Sequence, residues 1–312
     1  ISYLHTINFW AMVAITFFYG IFYAPIIPFL EAFTMDILNE NKNIYGRIRA
    51  WGSISFILVV LLVGKMMDVY SIRLILVGIF VGSCVQAILS TGIPKISIPR
   101  KEPFVAKKKA LFNTRVVVFL FCGFLMLFSH GTYYGFYSIH LENLGYGNTF
   151  IGIAWAMASI AEILVMINSD RIFKQFSLEN VLAFSFLVAA IRWFALFYVT
   201  SPVAILLLQI FHSVTYGTFH MASILYMDLL TPEKAKTLGQ ALNNALTYGL
   251  GMMVGFLING YLYESMGSSA LFMMSCLIAL AGGGLLKGFQ IFNCRLGEGL
   301  HAKIENRIDG NS

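Results

Sequence analysis

The sequence predicts an all-α polytopic membrane protein, and three observations carry that prediction. Of its 312 residues 58% are hydrophobic and 12% are charged, with a mean hydropathy of +0.77. A soluble domain carries about 25% charged residues. Nine apolar runs, at about 10–38, 46–67, 71–93, 114–138, 149–168, 179–199, 203–228, 236–262 and 269–289, have the roughly twenty residues that a helical span needs. None shows the period-two alternation of a membrane barrel, so each is read as a helix that satisfies its own backbone hydrogen bonds.

The basic residues orient these spans. The gaps at 39–47, 94–115, 169–178 and 229–236, with the tail from Lys287, hold 17 of the 21 Lys and Arg. Lys and Arg collect on the cytoplasmic side. The first span is therefore expected to run inward, with the C-terminus cytoplasmic and the protein in the inner (plasma) membrane, in contact with the lipid bilayer. The net charge of +6 then reflects topology, and no nucleic-acid partner is expected. The longest gap, 94–115, includes Arg100, Lys101, Lys107, Lys108, Lys109 and Arg115. It reads as a solvated basic linker, with an anionic-lipid contact as the sharper alternative. It separates a three-helix part at 1–93 from a six-helix part at 116–289, and 290–312 reads as the tail.

Short collinear matches relate the two parts. Met35-Asp-Ile-Leu38 returns as Met227-Asp-Leu-Leu230, and Gly64-Lys-Met-Met-Asp68 as Gly260-Tyr-Leu-Tyr-Glu264. Parallel six-span repeats of this kind build the two halves of some transporters. Because the chain opens at Ile1 in an apolar context, it is expected to be part of a longer protein lacking three spans here. The four cysteines show no metal-like spacing, and no phosphate loop, zinc signature or nucleophile elbow is present. No cofactor, metal or enzymatic activity is therefore expected.

The candidate residues are the polar ones inside apolar runs, where ionisable groups are costly and serve function. Glu31 and Arg49 enter the membrane on neighbouring spans, a pair suited to holding a hydroxylated or anionic solute. Structurally they would simply tie a hairpin together. Arg47 reads as a snorkelling anchor. Glu162, among Ala, Ile, Leu and Met, reads as a proton carrier or a neutral carboxyl bonded to a neighbour. Arg192 also lies mid-span and needs an acid or a solute anion, with Glu162 nearest by depth. His212 and His220 are two turns apart on one helix face, and histidine titrates in the range that proton coupling requires. His130 with Tyr133 and Tyr134 reads as an aromatic wall for a ring, while Tyr137 is expected in the interfacial belt. Asn243 and Asn244 read as helix–helix hydrogen-bonding groups, and the glycines near 249–255 and 282–284 as close-packing positions.

The run Tyr45-Gly-Arg-Ile-Arg-Ala-Trp-Gly-Ser-Ile54 resembles the fifth-helix signature of the phenylpropionate permease-like branch of the major facilitator superfamily. Ser129-His-Gly-Thr-Tyr-Tyr-Gly-Phe-Tyr-Ser138, Ala161-Glu162, Ile191-Arg-Trp193 and Gln209-Ile-Phe-His212 agree with it. The resemblance implies the major facilitator fold, with nine of twelve transmembrane helices present (the family's fourth to twelfth). That branch is similar to sugar–proton symporters of the lactose-permease type. By that likeness Glu31 and Arg49 fall at the solute-holding pair, and Arg192 and His212 in the coupling region. The symporters' proton-carrying glutamate falls at Thr215, so their proton site does not carry over. Asp170 and Arg171 resemble half of the superfamily's cytoplasmic gating motif.

The expected function is secondary transport of a small organic solute (sugar, nucleoside or aromatic acid) by alternating access, as a proton-coupled symporter and a monomer. Its binding residues would be Glu31, Arg49, His130 and Tyr133, its coupling residues Glu162, Arg192 and His212, and its gating residues Asp170 and Arg171. The rival is a non-transporting membrane sensor or scaffold, or an inactive fragment.

Overall fold

The computed structural model describes residues 2–26, 30, 33, 34, 37, 45–71, 73–93, 113–232 and 235–309. At residues 4, 45–50, 169–170 and 293–309 it describes the backbone alone. Among the described residues every long element is a helix. The chain divides into two units, one of Ile1–Glu102 with Gly147–Ala156, the other of Pro103–Tyr146 with Met157–Ser312.

The first unit contains α1 (Phe9–Tyr23), α2 (Tyr45–Met67), α3 (Arg73–Ser90) and the first turns of α5 (Asn148–Gln175). Asn8 caps α1 by accepting from the Ala11 N–H at 3.1 Å. This satisfies one of the donors that a helix start leaves open. Helices α1 and α3 bury none of their side chains, and Phe22 and Ile88 are 74% and 70% exposed. Such surfaces suit acyl chains, which are as apolar as the side chains they meet. Helices α2 and α5 approach at two glycines. A Cβ on Gly64 would lie 2.7 Å from the Asn148 carbonyl, and one on Gly152 2.8 Å from that of Val60. At the end of α2, Asp68 caps α5: Oδ1 accepts from the Asn148 N–H at 2.9 Å, and Oδ2 from the Thr149 N–H at 3.2 Å and from its hydroxyl.

The second unit holds α4 (Thr114–Asn143), the rest of α5, α6 (Leu178–Tyr198), α7 (Pro202–Ile210), α8 (Phe219–Leu230), α9 (Lys236–Asn243) and α10 (Met252–Asp309). Asn113 and Ser177 cap α4 and α6 with their side chains, and Pro202 stands at the start of α7, where no N–H is needed. Helices α7 and α8 are continuous through a π-helical turn, Ser213–Thr218, as α9 and α10 are through another, Asn244–Gly251. Gly267, at φ 74°, breaks α10 into two spans. Only glycine adopts that backbone freely.

Among the described residues six helices are long and apolar enough to cross a membrane, and the 57-residue stretch Lys236–Phe292 among them is the one that Gly267 divides. Phe9–Tyr23 and Trp51–Met67 are shorter apolar helices. The expected spans thus correspond to helices, although much of 24–38 and of the linker 94–115 lies outside the described residues. The core of the second unit includes Met126, Leu127, Tyr133, Leu182, Phe186, Trp193, Phe219 and Phe272. Helix α4 touches α10 and the second π-helical turn through backbone: a Cβ on Gly131 would lie 2.7 Å from the Gly255 Cα, and one on Gly251 2.8 Å from the Phe124 carbonyl. Beside this crossing the Thr132 hydroxyl lies 2.6 Å from that of Ser275 and 3.1 Å from Asn259 Oδ1, all buried.

Candidate functional site

Within the second unit, α4, α6 and the α7–α8 span bring their polar residues to one place. At its centre is Arg192 on α6, 1% exposed. Its Nε donates to the Leu208 carbonyl at 3.0 Å and Nη2 to Gln209 Oε1 at 2.9 Å. Nη1 faces both His212 Nδ1 at 3.2 Å and Thr215 Oγ1 at 3.3 Å. The guanidinium carbon lies 4.3 Å from the centre of the Tyr133 ring and 4.8 Å from that of Trp193. Every acceptor is neutral, and the two rings supply only quadrupole attraction. Among the described residues no carboxylate stands at ion-pair distance from this buried charge.

The expected pairing of Arg192 with Glu162 is therefore not formed. Glu162, half-buried on α5, lies instead against the π-helical turn: a Cβ on Gly217 would be 2.9 Å from its Cγ. Thr215 gives its oxygen to Arg192.

Hydrogen-bond chemistry assigns the protons of two histidines. A guanidinium only donates, so His212 Nδ1 accepts from Arg192 and its proton sits on Nε2, 3.3 Å from the Tyr134 hydroxyl. A carbonyl only accepts, so His130 Nδ1 donates to Met126 O at 2.9 Å. Its Nε2 is then an acceptor, buried and without a hydrogen-bond partner. Tyr133 donates to Gln209 Oε1 at 2.9 Å, the oxygen that also serves Arg192.

The aromatic residues make a stacked column. Tyr216 lies between His212, with centroids 5.3 Å apart and planes 11° apart, and His220, at 6.1 Å and 5°. Tyr248, on the second π-helical turn, meets the Tyr216 edge at 6.4 Å and places its hydroxyl 2.7 Å from His220 Nδ1. His130, Tyr133, Gln209 and Arg192 are sealed, while Tyr134, Glu162, Tyr216, His220 and Tyr248 remain half-buried. The site thus has a closed floor and a partly open rim.

Of the residues expected from sequence, His130, Tyr133, Glu162, Arg192 and His212 meet here. Glu31 and the side chains of Arg49 and Asp170 lie outside the described residues, and Arg171 is exposed on α5. Tyr137, expected in an interfacial belt, is fully buried against Tyr133 at 4.8 Å; neighbouring helices cover that turn of α4. Tyr216 and Tyr248 were not singled out from the sequence. Tyr216 had one usable signal, its four-residue spacing from both His212 and His220; Tyr248 had none.

The MFS_1 like family matches residues 2–274, and the chain belongs to it: it is a membrane transporter of the major facilitator type for small solutes. It is 24% identical over 289 residues to the probable 3-phenylpropionic acid transporter of Escherichia coli (strain K12), covering 89% of this chain and 75% of that protein. It is 26% identical over 264 residues to the maltose permease of Geobacillus stearothermophilus, covering 82% of this chain and 66% of the relative. The crystal structure of the nucleoside transporter NupG (D323A mutant) aligns with a TM-score of 0.67 at 17% identity, over 78% of this chain and 67% of that one. That likeness shows the fold. The chain spans three quarters of the first relative's length and about two thirds of the second's.

Proposed function

We propose that this chain works as a proton-coupled secondary transporter of the inner membrane, carrying a small organic solute by alternating access, with its C-terminus in the cytoplasm. The observation that carries the reading is a buried guanidinium with only neutral acceptors, lying beneath a half-open rim of two aromatic rings and a carboxylate. Tyr134 and Tyr216 offer ring faces and hydroxyls, which suit an aromatic acid, a nucleoside or a sugar. Arg192 supplies positive potential from below, and Glu162 the group that exchanges a proton. His130 and Tyr133, expected as contacts, act through the wall they build, and Glu31 and Arg49 retain their expected binding role.

The relatives set the panel: 3-phenylpropionate, maltose and a nucleoside. The full chain in proteoliposomes preloaded with unlabelled solute is offered the labelled solute outside. Transient accumulation of the label marks a carrier that exposes one site to each side in turn. Accumulation of none of the three, by protein that folds, contradicts the reading.

A further inference from the structure

At one end of the second unit, the first turns of α4 and α6, the last turns of α8 and the second span of α10 surround a cavity of about 490 Å³. Its polar lining is Arg115 of α4, Glu179 and Asn180 of α6, Tyr226 of α8, and Lys287 and Gln290 of α10. Lys287 Nζ donates to Asn180 Oδ1 at 3.1 Å, and Gln290 Nε2 to the Glu179 carbonyl at 3.1 Å, so α10 is tied to the start of α6. Tyr226 is buried, its ring edge-on to Phe119 at 5.1 Å.

Two cations face this cavity against one carboxylate, which leaves one positive charge in excess. Among the described residues neither Arg115 nor Lys287 has a carboxylate at ion-pair distance. Lys287 bonds a neutral amide and has three protons to give. The guanidinium of Arg115 is a planar fork that matches a phosphate. The lining suits a phosphodiester with a single negative charge.

Asn180 also lines a second cavity, of about 450 Å³, between α5, α6 and the π-helical turn Ser213–Thr218. Val165 and Phe176 border it from the α5 side, Val181 and Phe184 from α6, and Val214 and Thr218 from the turn. The Thr218 hydroxyl is spent on the Ser213 carbonyl at 3.0 Å, so these walls are apolar. The cavity extends from Asn180 and Phe176, at the helix ends, to Val165, about three turns further along. Basic groups at the helix ends and an apolar hollow toward the membrane interior follow the order of parts in a phospholipid. Basic pockets between spans hold such headgroups.

We infer that the two cavities, joined at Asn180, are the head and tail of a binding site for one anionic phospholipid. Its phosphodiester lies against Arg115, Lys287 and the Tyr226 hydroxyl, and one acyl chain lies along Val165, Phe184 and Val214. Val214 and Thr218 belong to the turn that also carries Tyr216 and Gly217, so the seated chain touches the segment that shapes the solute site. The lipid site is independent of proton coupling and of the identity of the solute.

Native mass spectrometry of the full chain in detergent counts what stays bound. The probes are dioleoyl phosphatidylglycerol, phosphatidylcholine and phosphatidylethanolamine with the same chains, and glycerol phosphate. One phosphatidylglycerol per chain is expected to survive the collision energy that strips the two zwitterionic lipids, and glycerol phosphate, lacking a tail, is expected to be lost. Each Lys or Arg beside an anionic headgroup is worth about fivefold in affinity. Arg115→Gln with Lys287→Gln, both at exposed positions, should therefore weaken phosphatidylglycerol binding roughly thirtyfold. Glu179→Gln should strengthen it, and Val165→Trp, which fills the apolar cavity, should lose most of the retained lipid. Lys174→Gln removes an exposed cation of α5 that lines neither cavity, and should change nothing. Phosphatidylglycerol held no better than phosphatidylcholine, an undiminished affinity in the double variant, or an equal loss in Lys174→Gln overturns the site and leaves only a general attraction of lipid to charge. Retention of glycerol phosphate with the affinity of the lipid, or a preference for phosphatidylethanolamine that Glu179→Gln abolishes, overturns the assignment to an anionic lipid.

Discussion

Arg192 spends four hydrogen bonds on four neutral acceptors and two ring faces, and its planar fork is what lets one side chain reach them all. A lysine there keeps the charge and loses the fork. Arg192→Lys is expected to lower stability by about 2 kcal/mol, since each hydrogen bond to a charged group contributes about 1.5–3 kcal/mol and a lysine recovers part of them. Thermal unfolding in detergent measures this. Gly217 is the second residue that cannot change freely. A Cβ there would press on Glu162 Cγ at 2.9 Å, so Gly217→Ala is expected to cost about 1–3 kcal/mol and to displace the carboxylate. Lost solute uptake with a lowered melting temperature is the expected pair of results. Asp68 has a third kind of role. The Thr149 hydroxyl, helped by the backbone N–H groups of Thr149 and Asn148, holds its carboxyl below the usual range. A group whose folded value is depressed stabilises above its unfolded value, near 3.9, and loses that contribution as pH falls through the folded one. Slow hydrogen exchange in the first turn of α5 should therefore persist at neutral pH, weaken progressively as pH falls below about 4, and be absent at all pH values in Asp68→Ala.

At the scale of elements, the two π-helical turns do most to shape the site. Each adds a residue to a span and shifts the helix face beyond it. One carries Thr215, Tyr216 and Gly217, the other Tyr248, and their rings meet edge to face. The α4–α10 crossing works by the opposite device, the removal of side chains. Gly255→Leu would drive a Cβ to 2.8 Å from the Phe128 carbonyl and 3.0 Å from the Gly131 Cα. Backbone cannot give way there as a flexible side chain can, so little folded protein is expected by size-exclusion chromatography. These elements also mark where sequence reasoning stops. Hydropathy located the spans because lipid imposes one length and one composition on all of them. Arg192, His212 and Glu162 were legible because a polar residue in an apolar run is conspicuous. The π turns leave no pattern that distinguishes them from α-helix, and Tyr248 looks like any tyrosine until the fold sets it beside His220. The Arg192–Glu162 pairing failed for the same reason: depth in the membrane is readable from sequence, but direction across the bundle is not.

For the whole molecule, the family and the fold establish a transporter, and the arrangement of the second unit suggests how one is driven. On the proposed function, a solute on the rim feels Arg192 from below and Glu162 from the side, and its binding is linked through charge to the protonation of Glu162. Coupling of this kind is reciprocal: protons strengthen solute binding by the factor with which solute strengthens proton binding. The most direct measurement is uptake of labelled 3-phenylpropionate, maltose and a nucleoside by proteoliposomes containing the full chain, with the interior held alkaline to the medium. At least one of the three is predicted to accumulate above its external concentration and to leak back when a protonophore collapses the gradient. Uptake that only equilibrates, with or without the gradient, would contradict proton coupling.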